Sequence, residues 1–231
     1  MDFKFLTQPV GSGESQTYLD WILAGLGYTA LVSVTAYLLA LVIGIAIGAA
    51  RTRSGPLSWA ATGVFELFSS IPLKVQMFFF YFVLPAMLAP KFAETASPLT
   101  LSLTAAIGAL GFFMGCRVSG HIYSALQALA DSQAQAARAL GFSTSQSYTL
   151  ILIPQAIKNT MPALANELLS TVKNSSIAGS IGLAELFYQC KRLNEFTAAV
   201  YEPFVLVLCG YLVINFTLLW IMRSTEKAKL A

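Results

Sequence analysis

The sequence has very little charge. Charged residues make up 11% of its 231 residues, whereas 56% are hydrophobic, and the mean hydropathy is +0.68. Soluble domains carry about a quarter charged residues, so this composition excludes a soluble globular domain and indicates an integral membrane protein. The net charge is only +3, and the cations are spread along the chain rather than gathered in a basic arm. Nucleic-acid binding is therefore disfavoured.

Residues for metal binding and catalysis are also scarce. The sequence has one histidine, His121, and three cysteines that form neither a disulfide framework nor a metal-ligand spacing. It lacks H-E-x-x-H, G-x-S-x-G and any paired carboxylate constellation, and no G-x-x-x-x-G-K-[ST] is present to hold ATP phosphates. We expect no cofactor, no metal and no enzymatic activity in this chain, so any ATPase must be a separate polypeptide.

Uncharged runs predict an all-α membrane protein with about five transmembrane helices, since a helical span needs about 20 mostly apolar residues. The first run is too long for a signal peptide core, so we expect it to be retained. Glu66, Pro72 and Lys74 interrupt the second span, which we therefore expect to be kinked or built from two pieces. The predicted spans cover residues 21–50, 57–88, 99 to beyond 117, 148–186 and 203–222.

The distribution of Lys and Arg predicts the orientation, because basic loops are retained on the cytoplasmic side. With five spans the two termini lie on opposite sides of the membrane. If the C-terminus is cytoplasmic and the N-terminus is external, seven cations lie inside and four outside. The seven are Arg51, Arg53, Arg138, Lys158, Arg223, Lys227 and Lys229, and the four are Lys4, Lys91, Lys191 and Arg192. The prediction is N-out and C-in.

Small residues recur at every fourth position in two spans, which favours close helix contacts. They are Ala40, Gly44 and Gly48 in the first span and Gly111 and Gly115 in the third. Such spacing is also common by chance in glycine-rich spans, so the alternative is that these glycines face lipid and have no structural role.

The longest polar connection, at about 124–154, contains a predicted amphipathic helix. Asp131 is a candidate N-cap, Gly141 a left-handed stop, and Ser143 with Gln146 has capping-box spacing. The middle of the helix is alanine-rich, so it can settle into a groove on a partner. The alternative is a helix resting on lipid headgroups, but such helices carry more Lys and Arg than the single Arg138 here.

This loop resembles the EAA loop of ABC importer permeases. The matching residues are Gln135, Ala136, Ala137, Gly141, Ile151 and Pro154. Two positions depart from the motif: Gln135 replaces the glutamate, and Ile153 replaces the leucine before the proline.

Two further segments resemble the polar amino acid permeases of this family. Residues 65–85 are similar to their E-x-x-R-x-x-P-L-x-V-Q segment, with Ser69 in place of the arginine, and residues 166–186 resemble their fourth-helix signature. The KNSS form at 173–176 is closest to glutamate/aspartate permeases. Gly120 and Tyr123 depart from the usual glutamate and arginine.

The resemblance implies a MetI-like type I ABC importer permease fold in the bacterial inner membrane. Its implied partners are two ATP-binding cassette subunits, a second permease chain that is the same or different, and a periplasmic substrate-binding protein. Residues 1–20 would be a periplasmic segment, 21–222 the transmembrane domain with its loop at about 124–154, and 223–231 a cytoplasmic tail. The implied ATPase-coupling residues are Gln135, Ala136, Ala137, Arg138 and Gly141.

Cations within spans are expensive and usually face a cavity or a partner. Arg117 and Lys173 are candidates to hold the carboxylates of an acidic amino acid, with Asn174 and Ser175 as neutral hydrogen-bonding groups; Lys74 is a further candidate. The structural alternatives are pairing of Lys74 with Glu66 or its placement near the outer interface. The structural alternatives for Arg117 and Lys173 are an ion pair with Glu167 or contacts with the carbonyl groups at helix ends.

The predicted function is an ATP-driven importer subunit for polar amino acids, with glutamate and aspartate preferred. Permeation of glutamine, histidine or another polar solute is the first alternative. A secondary transporter is a second, but it would need intramembrane carboxylates or broken helices for coupling ions, and Glu66 and Glu167 are the acidic residues considered for that role.

Overall fold

The computed structural model describes residues 3–10, 16–197 and 199–230, and the side chains in these ranges except those at 130–132, 134 and 223–230. Within this part of the chain the regular structure is helical, apart from an isolated bridge between Pro9 and Thr17. The helices are α1 Tyr18–Arg51, α2 Pro56–Ser70, α3 Leu73–Phe78, α4 Leu84–Leu88, α5 Pro90–Thr95, α6 Pro98–Ala139, α7 Thr144–Gln146, α8 Ile153–Ser175, α9 Leu186–Thr197 and α10 Glu202–Leu230.

The all-helical membrane fold is confirmed. Among the described residues, three helices are long and apolar enough to cross a membrane, in Tyr18–Arg51, Pro98–Leu129 and Glu202–Met222. A fourth crossing is possible through α2 and Leu73–Leu88, a pair bent by 103°. The predicted span 148–186 contains no helix that is long and apolar enough to cross a membrane. It is divided into a π-helical segment, Ser147–Leu152, the helix α8, and a 3₁₀ segment, Ser176–Ile181.

The bend between α2 and α3 has a local cause at Pro72. The ring of a proline disfavours helical geometry in the preceding residue, and Ile71 is extended, with φ −95° and ψ 128°. Helix α2 therefore ends with unpaired carbonyls. The buried amide of Gln76 donates to the carbonyls of Phe68 at 2.7 Å and Ile71 at 2.9 Å, which satisfies them and fixes the bend.

Two π-helical segments each end two residues before a proline. Phe79–Val83 precedes Pro85, and Ser147–Leu152 precedes Pro154. A proline within a helix removes one N–H donor and clashes with the carbonyl four residues earlier. A wider turn, with hydrogen bonds over five residues, relieves that clash while the helix continues.

The connection containing the predicted amphipathic helix differs from the prediction at its start. Helix α6 runs without a break from Pro98 to Ala139, so Asp131 begins no separate helix, and its side chain lies outside the described residues. The predicted stop and restart are confirmed: Gly141 has φ +85°, and Ser143 forms a capping box with Gln146. Helix caps can be predicted from sequence because they depend on neighbouring residues. The sequence did not reveal that the helix of the third span continues without a break into the polar segment.

Two predicted loops contain helices. The loop after the second span includes α5, and the loop carrying Lys191 and Arg192 is largely α9. Helix α9 is amphipathic, with Leu186, Cys190 and Leu193 buried. Residues 11–15 of the predicted periplasmic segment, and the side chains of the predicted cytoplasmic tail, 223–231, lie outside the described part.

The chain forms two compact units. The first comprises Met1–Val34, Met77–Ala106 and Leu169–Ala231. Its core joins the start of α1 to α9 and α10, and Phe5 and Leu6 pack against it from the N-terminal segment. The buried members are Val10, Tyr18, Trp21, Ile22, Leu186, Cys190, Leu193 and Val207.

The second unit comprises Thr35–Gln76 and Ile107–Leu168. Its helices α1 and α6 approach closely at glycines: a Cβ on Gly44 would lie 2.5 Å from Val118 Cβ, and a Cβ on Gly111 would lie 2.6 Å from Leu39 Cδ2. The predicted close contact of small residues is confirmed. The buried residues at its centre are Val118, Ile122, Leu126, Leu152, Ala156 and Leu164.

Candidate functional site

The second unit contains a cluster built around a buried carboxylate. Glu167 on α8 is 4% exposed, and its oxygens accept hydrogen bonds from Arg117 on α6, at 2.7 Å from Nε and 3.0 Å from Nη2. Nε2 of His121 lies 3.0 Å from Glu167 Oε1. Arg117 and His121 are one turn apart, so they share a face of α6. A carboxylate away from water needs such partners, because an unpaired buried charge is strongly destabilising.

Of the two roles predicted for Arg117, the ion pair with Glu167 is present. Nε and Nη2, one of the two nitrogen pairs with which a guanidinium can hold a carboxylate as a fork, are directed at Glu167. The Arg117 side chain is nevertheless 51% exposed. Contact between Arg117 and a substrate stays a prediction.

The other predicted substrate residues of α8 lie in the first unit. Lys173 is exposed and lines a groove of about 380 Å³ together with Ser176 and Tyr211. Apolar side chains form the rest of its wall: Phe187, Phe204, Val207 and Leu208. The groove therefore combines one cation with two hydroxyl groups on an apolar surface.

The neighbours of Lys173 are less accessible. Ser175 is fully buried, and its hydroxyl donates to the carbonyl of Val172 at 2.8 Å, so its proton is engaged within α8. Asn174 is partly buried. Lys74, in the second unit, is exposed on α3; the structure describes both Lys74 and Glu66 and contains no ion pair between them.

The predicted ATPase-coupling residues form the end of α6 and the turn that follows it, residues 135–141, here called the coupling segment. Gln135, Ala136 and Arg138 are exposed, whereas Ala137 is 2% exposed and packs within this chain. The turn is closed by hydrogen bonds from the amide of Phe142 to the carbonyl of Ala137, at 3.1 Å, and from that of Gly141 to Arg138, at 2.9 Å. The segment thus has one exposed face and is anchored in this chain by the other.

Residues 40–229 match the family model described as the inner membrane component of binding-protein-dependent transport systems. The match covers most of the chain, including the coupling segment and the Arg117 cluster. The chain belongs to this family. It is therefore an inner membrane transport component, as the resemblance of its EAA-like loop predicts.

Two relatives of this transport component align over nearly its whole length. GltJ of Escherichia coli (strain K12), a glutamate/aspartate import permease protein, is 33% identical over 216 residues, which cover 91% of this chain and 88% of GltJ. GlnM of Bacillus subtilis (strain 168), a probable glutamine ABC transporter permease protein, is 34% identical over 202 residues, which cover 87% of this chain and 88% of GlnM. Both relatives are permease subunits, which are not themselves enzymes, so the predicted separation from the ATPase is confirmed.

Solved structures share the fold of this transport component. An amino acid ABC transporter crystallised with histidines matches with a TM-score of 0.72 at 28% identity, covering 91% of this chain and 95% of that chain. An inward-facing structure of the MetNI methionine ABC transporter matches with a TM-score of 0.74 at 19% identity, covering 93% and 99%. The MetI-like fold expectation is confirmed.

The sequence did not predict one buried hydrogen-bond network in the first unit. Glu185 is fully buried and accepts hydrogen bonds from the amides of Phe187 at 2.8 Å and Tyr188 at 2.7 Å, and from the hydroxyl of Tyr211 at 3.0 Å. It thereby caps the start of α9 and ties that helix to α10. The available signal was a single acidic residue within the apolar end of the predicted span 148–186.

Proposed function

We propose that this transport component is a permease subunit of an ATP-driven importer of polar amino acids, with glutamate and aspartate as its preferred substrates. The observation that carries the proposal is the near full-length similarity to GltJ, at 33% identity. The structure with histidines, at 28% identity, supports the amino acid class independently.

The charges of the described residues support the acidic preference. An amino acid with two carboxylates needs cationic groups to offset the loss of its hydration, and Lys173 places an ammonium group on the wall of an open groove. We propose that Arg117, Lys173 and Lys74 provide positive charge along the substrate path, with Asn174 and Ser175 beside Lys173. The pair formed by Glu167 would orient the Arg117 guanidinium.

Glutamine is the second candidate substrate, because GlnM is 34% identical. Its neutral amide needs hydrogen-bond donors and acceptors rather than a second cation. Dependence on Lys173 therefore separates the two substrates: removal of this cation would weaken glutamate uptake more than glutamine uptake.

The proposed assembly contains two ATP-binding cassette subunits, a second permease chain of the same or different sequence, and a periplasmic substrate-binding protein. The coupling segment would bind the ATPase through Gln135, Ala136 and Arg138, which are exposed. We further propose the N-out, C-in orientation, with residues 1–20 periplasmic and 223–231 cytoplasmic. A reporter fused to the C-terminus that is active only in the cytoplasm tests the orientation.

The deciding experiment measures uptake of radiolabelled glutamate into vesicles that contain this chain with its ATPase, second permease chain and binding protein. Uptake is compared with and without ATP, and in the presence of unlabelled aspartate, glutamine or arginine. ATP-dependent uptake inhibited by aspartate alone is the expected result. Inhibition by glutamine instead would indicate that glutamine is the preferred substrate. Uptake independent of ATP would contradict the assignment to an ATP-driven importer.

A further inference from the structure

Arg51, the last residue of α1, and the next two residues, Thr52 and Arg53, contact several helices of the second unit; these three are called the linker residues. The guanidinium carbon of Arg51, the last residue of α1, lies 3.7 Å from the ring centre of Phe65 on α2 and 4.4 Å from that of Tyr123 on α6. Its main-chain carbonyl accepts a hydrogen bond from Ser58 on α2 at 3.0 Å. Cation–π contacts of this geometry are attractive, so Arg51 ties α1, α2 and α6 together.

The next two residues of the linker both contact Tyr148. Thr52 Oγ1 lies 2.8 Å from the carbonyl of Ala49 and 3.1 Å from the hydroxyl of Tyr148. Because the threonine hydroxyl has one proton, which it donates to Ala49, the Tyr148 hydroxyl is the donor to Thr52. The guanidinium carbon of Arg53 lies 5.1 Å from the ring centre of Tyr148. Hydroxyl and ring are thus engaged by neighbouring residues.

Tyr148 belongs to the π-helical segment that follows the coupling segment. The capping box of Ser143 and Gln146, with bonds of 2.9 and 3.3 Å, fixes the chain between the two. Ser147 is buried, at 3% exposure, and Tyr148 packs against the core of the second unit. A displacement of the coupling segment must therefore act on Tyr148, because the intervening turn is held by hydrogen bonds rather than free to flex.

We propose that Tyr148 and the linker residues Arg51, Thr52 and Arg53 transmit the movement of the coupling segment to α1 and α2. These are positioning residues: they act through the helices they join. The inference rests on the proposed function, since it requires that an ATPase subunit moves the coupling segment. It assigns a mechanical role to arginines that the sequence marks only as basic residues at a membrane boundary.

The test uses the complete reconstituted transporter and measures both ATP hydrolysis and substrate uptake. Tyr148→Phe removes the hydroxyl but keeps the ring beside Arg53, and Thr52→Val removes the acceptor. We expect each variant to keep ATP hydrolysis while the amount of substrate imported per ATP falls about fivefold, the factor that corresponds to one hydrogen bond of typical net strength. The double variant should fall no further, because both changes remove the same bond.

Two matched variants control for unrelated effects. Thr149→Val removes a hydroxyl that donates to the carbonyl of Ser145 at 2.9 Å, a local bond like that of Thr52 to Ala49. Tyr201→Phe removes the hydroxyl of a tyrosine that is 71% exposed. Both should import as much substrate per ATP as the unchanged protein, and the yield of assembled transporter should be equal for all variants.

The possible outcomes are distinct. A lowered import per ATP in both single variants, without additivity in the double variant, supports the inference. Unchanged import per ATP overturns it, and so does a parallel loss of ATP hydrolysis and uptake, which would make the contact a requirement for assembly alone. An unchanged protein that shows no ATP-dependent uptake contradicts the proposed function instead.

Discussion

Arg117 on α6 and Glu167 on α8 form a two-pronged ion pair, with donor-to-acceptor distances of 2.7 and 3.0 Å. The two partners differ in exposure: 51% of the arginine side chain is accessible, against 6% of the glutamate side chain. The carboxylate of Glu167 is thus buried within the second unit, whereas the guanidinium of Arg117 lies at the surface of that unit. The exposed part of the Arg117 side chain is the part that the proposed contact with substrate requires.

Arg117→Ala should destabilise the protein by about 1–3 kcal/mol, because it removes the main cation from a buried carboxylate. The shift is measured as the thermal unfolding midpoint in detergent, and Arg117→Lys, which keeps the charge without the fork, should lose less. In the same variants the KM for glutamate uptake should rise if Arg117 also contacts substrate. Unchanged KM in Arg117→Ala would remove that role while leaving the structural one.

Gly44→Ala should destabilise the contact between α1 and α6. The added methyl carbon would lie 2.5 Å from Val118 Cβ and 2.8 Å from the carbonyl oxygen of Gly115, and overpacking of this kind costs about 1–3 kcal/mol. Gly27→Ala is the matched control in the same helix, because no atom lies within 4 Å of its added carbon. Equal unfolding midpoints for the two variants would show that the approach at Gly44 is not tight.

Two neighbouring alanines of the coupling segment should respond differently to enlargement. Ala136→Leu changes the exposed face, so we expect the ATPase subunit to copurify less while the unfolding midpoint of this chain stays the same. Ala137→Leu places a larger side chain at a position that is 2% exposed and should lower the midpoint. Loss of ATPase binding in Ala137→Leu without any loss of stability would contradict the assignment of faces.

Ser143→Ala should loosen the turn after the coupling segment. It removes the acceptor of the Gln146 amide, 3.3 Å away, and the loss of a serine cap typically costs about 1 kcal/mol. Hydrogen exchange of the Gln146 amide should therefore become about fivefold faster. Ser145→Ala, at an exposed position of the same turn, is the control and should leave this rate unchanged.

The features that sequence predicted correctly are local. The charge-free run at 21–50 lies within α1, Pro72 marks the bend, and Gly141 and the pair Ser143 and Gln146 act at the expected positions. Each depends on residues within a few positions, such as a ring that blocks helical geometry or a hydroxyl that reaches a nearby amide. Local chemistry of this kind does not require the rest of the fold.

The features that sequence missed depend on distant partners. Helix α9 forms where a loop is predicted because its buried residues pack in the first unit against Trp21 and Val207, which its own sequence does not reveal. Helix α6 continues through a polar stretch for which helical periodicity gives no boundary. The contact of Tyr148 with Thr52 joins positions 96 residues apart.

The sequence by itself determined that this protein lies in a membrane, which segments are apolar enough to cross it, and which transport family it resembles. These follow from hydrophobicity and short motifs, whose energetics are set residue by residue. Only the tertiary structure decided that Arg117 pairs with Glu167, that Ala137 faces inward while Ala136 faces outward, and that Tyr148 meets the linker after α1. Those relationships depend on which helix faces pack together, and packing is a property of the whole chain.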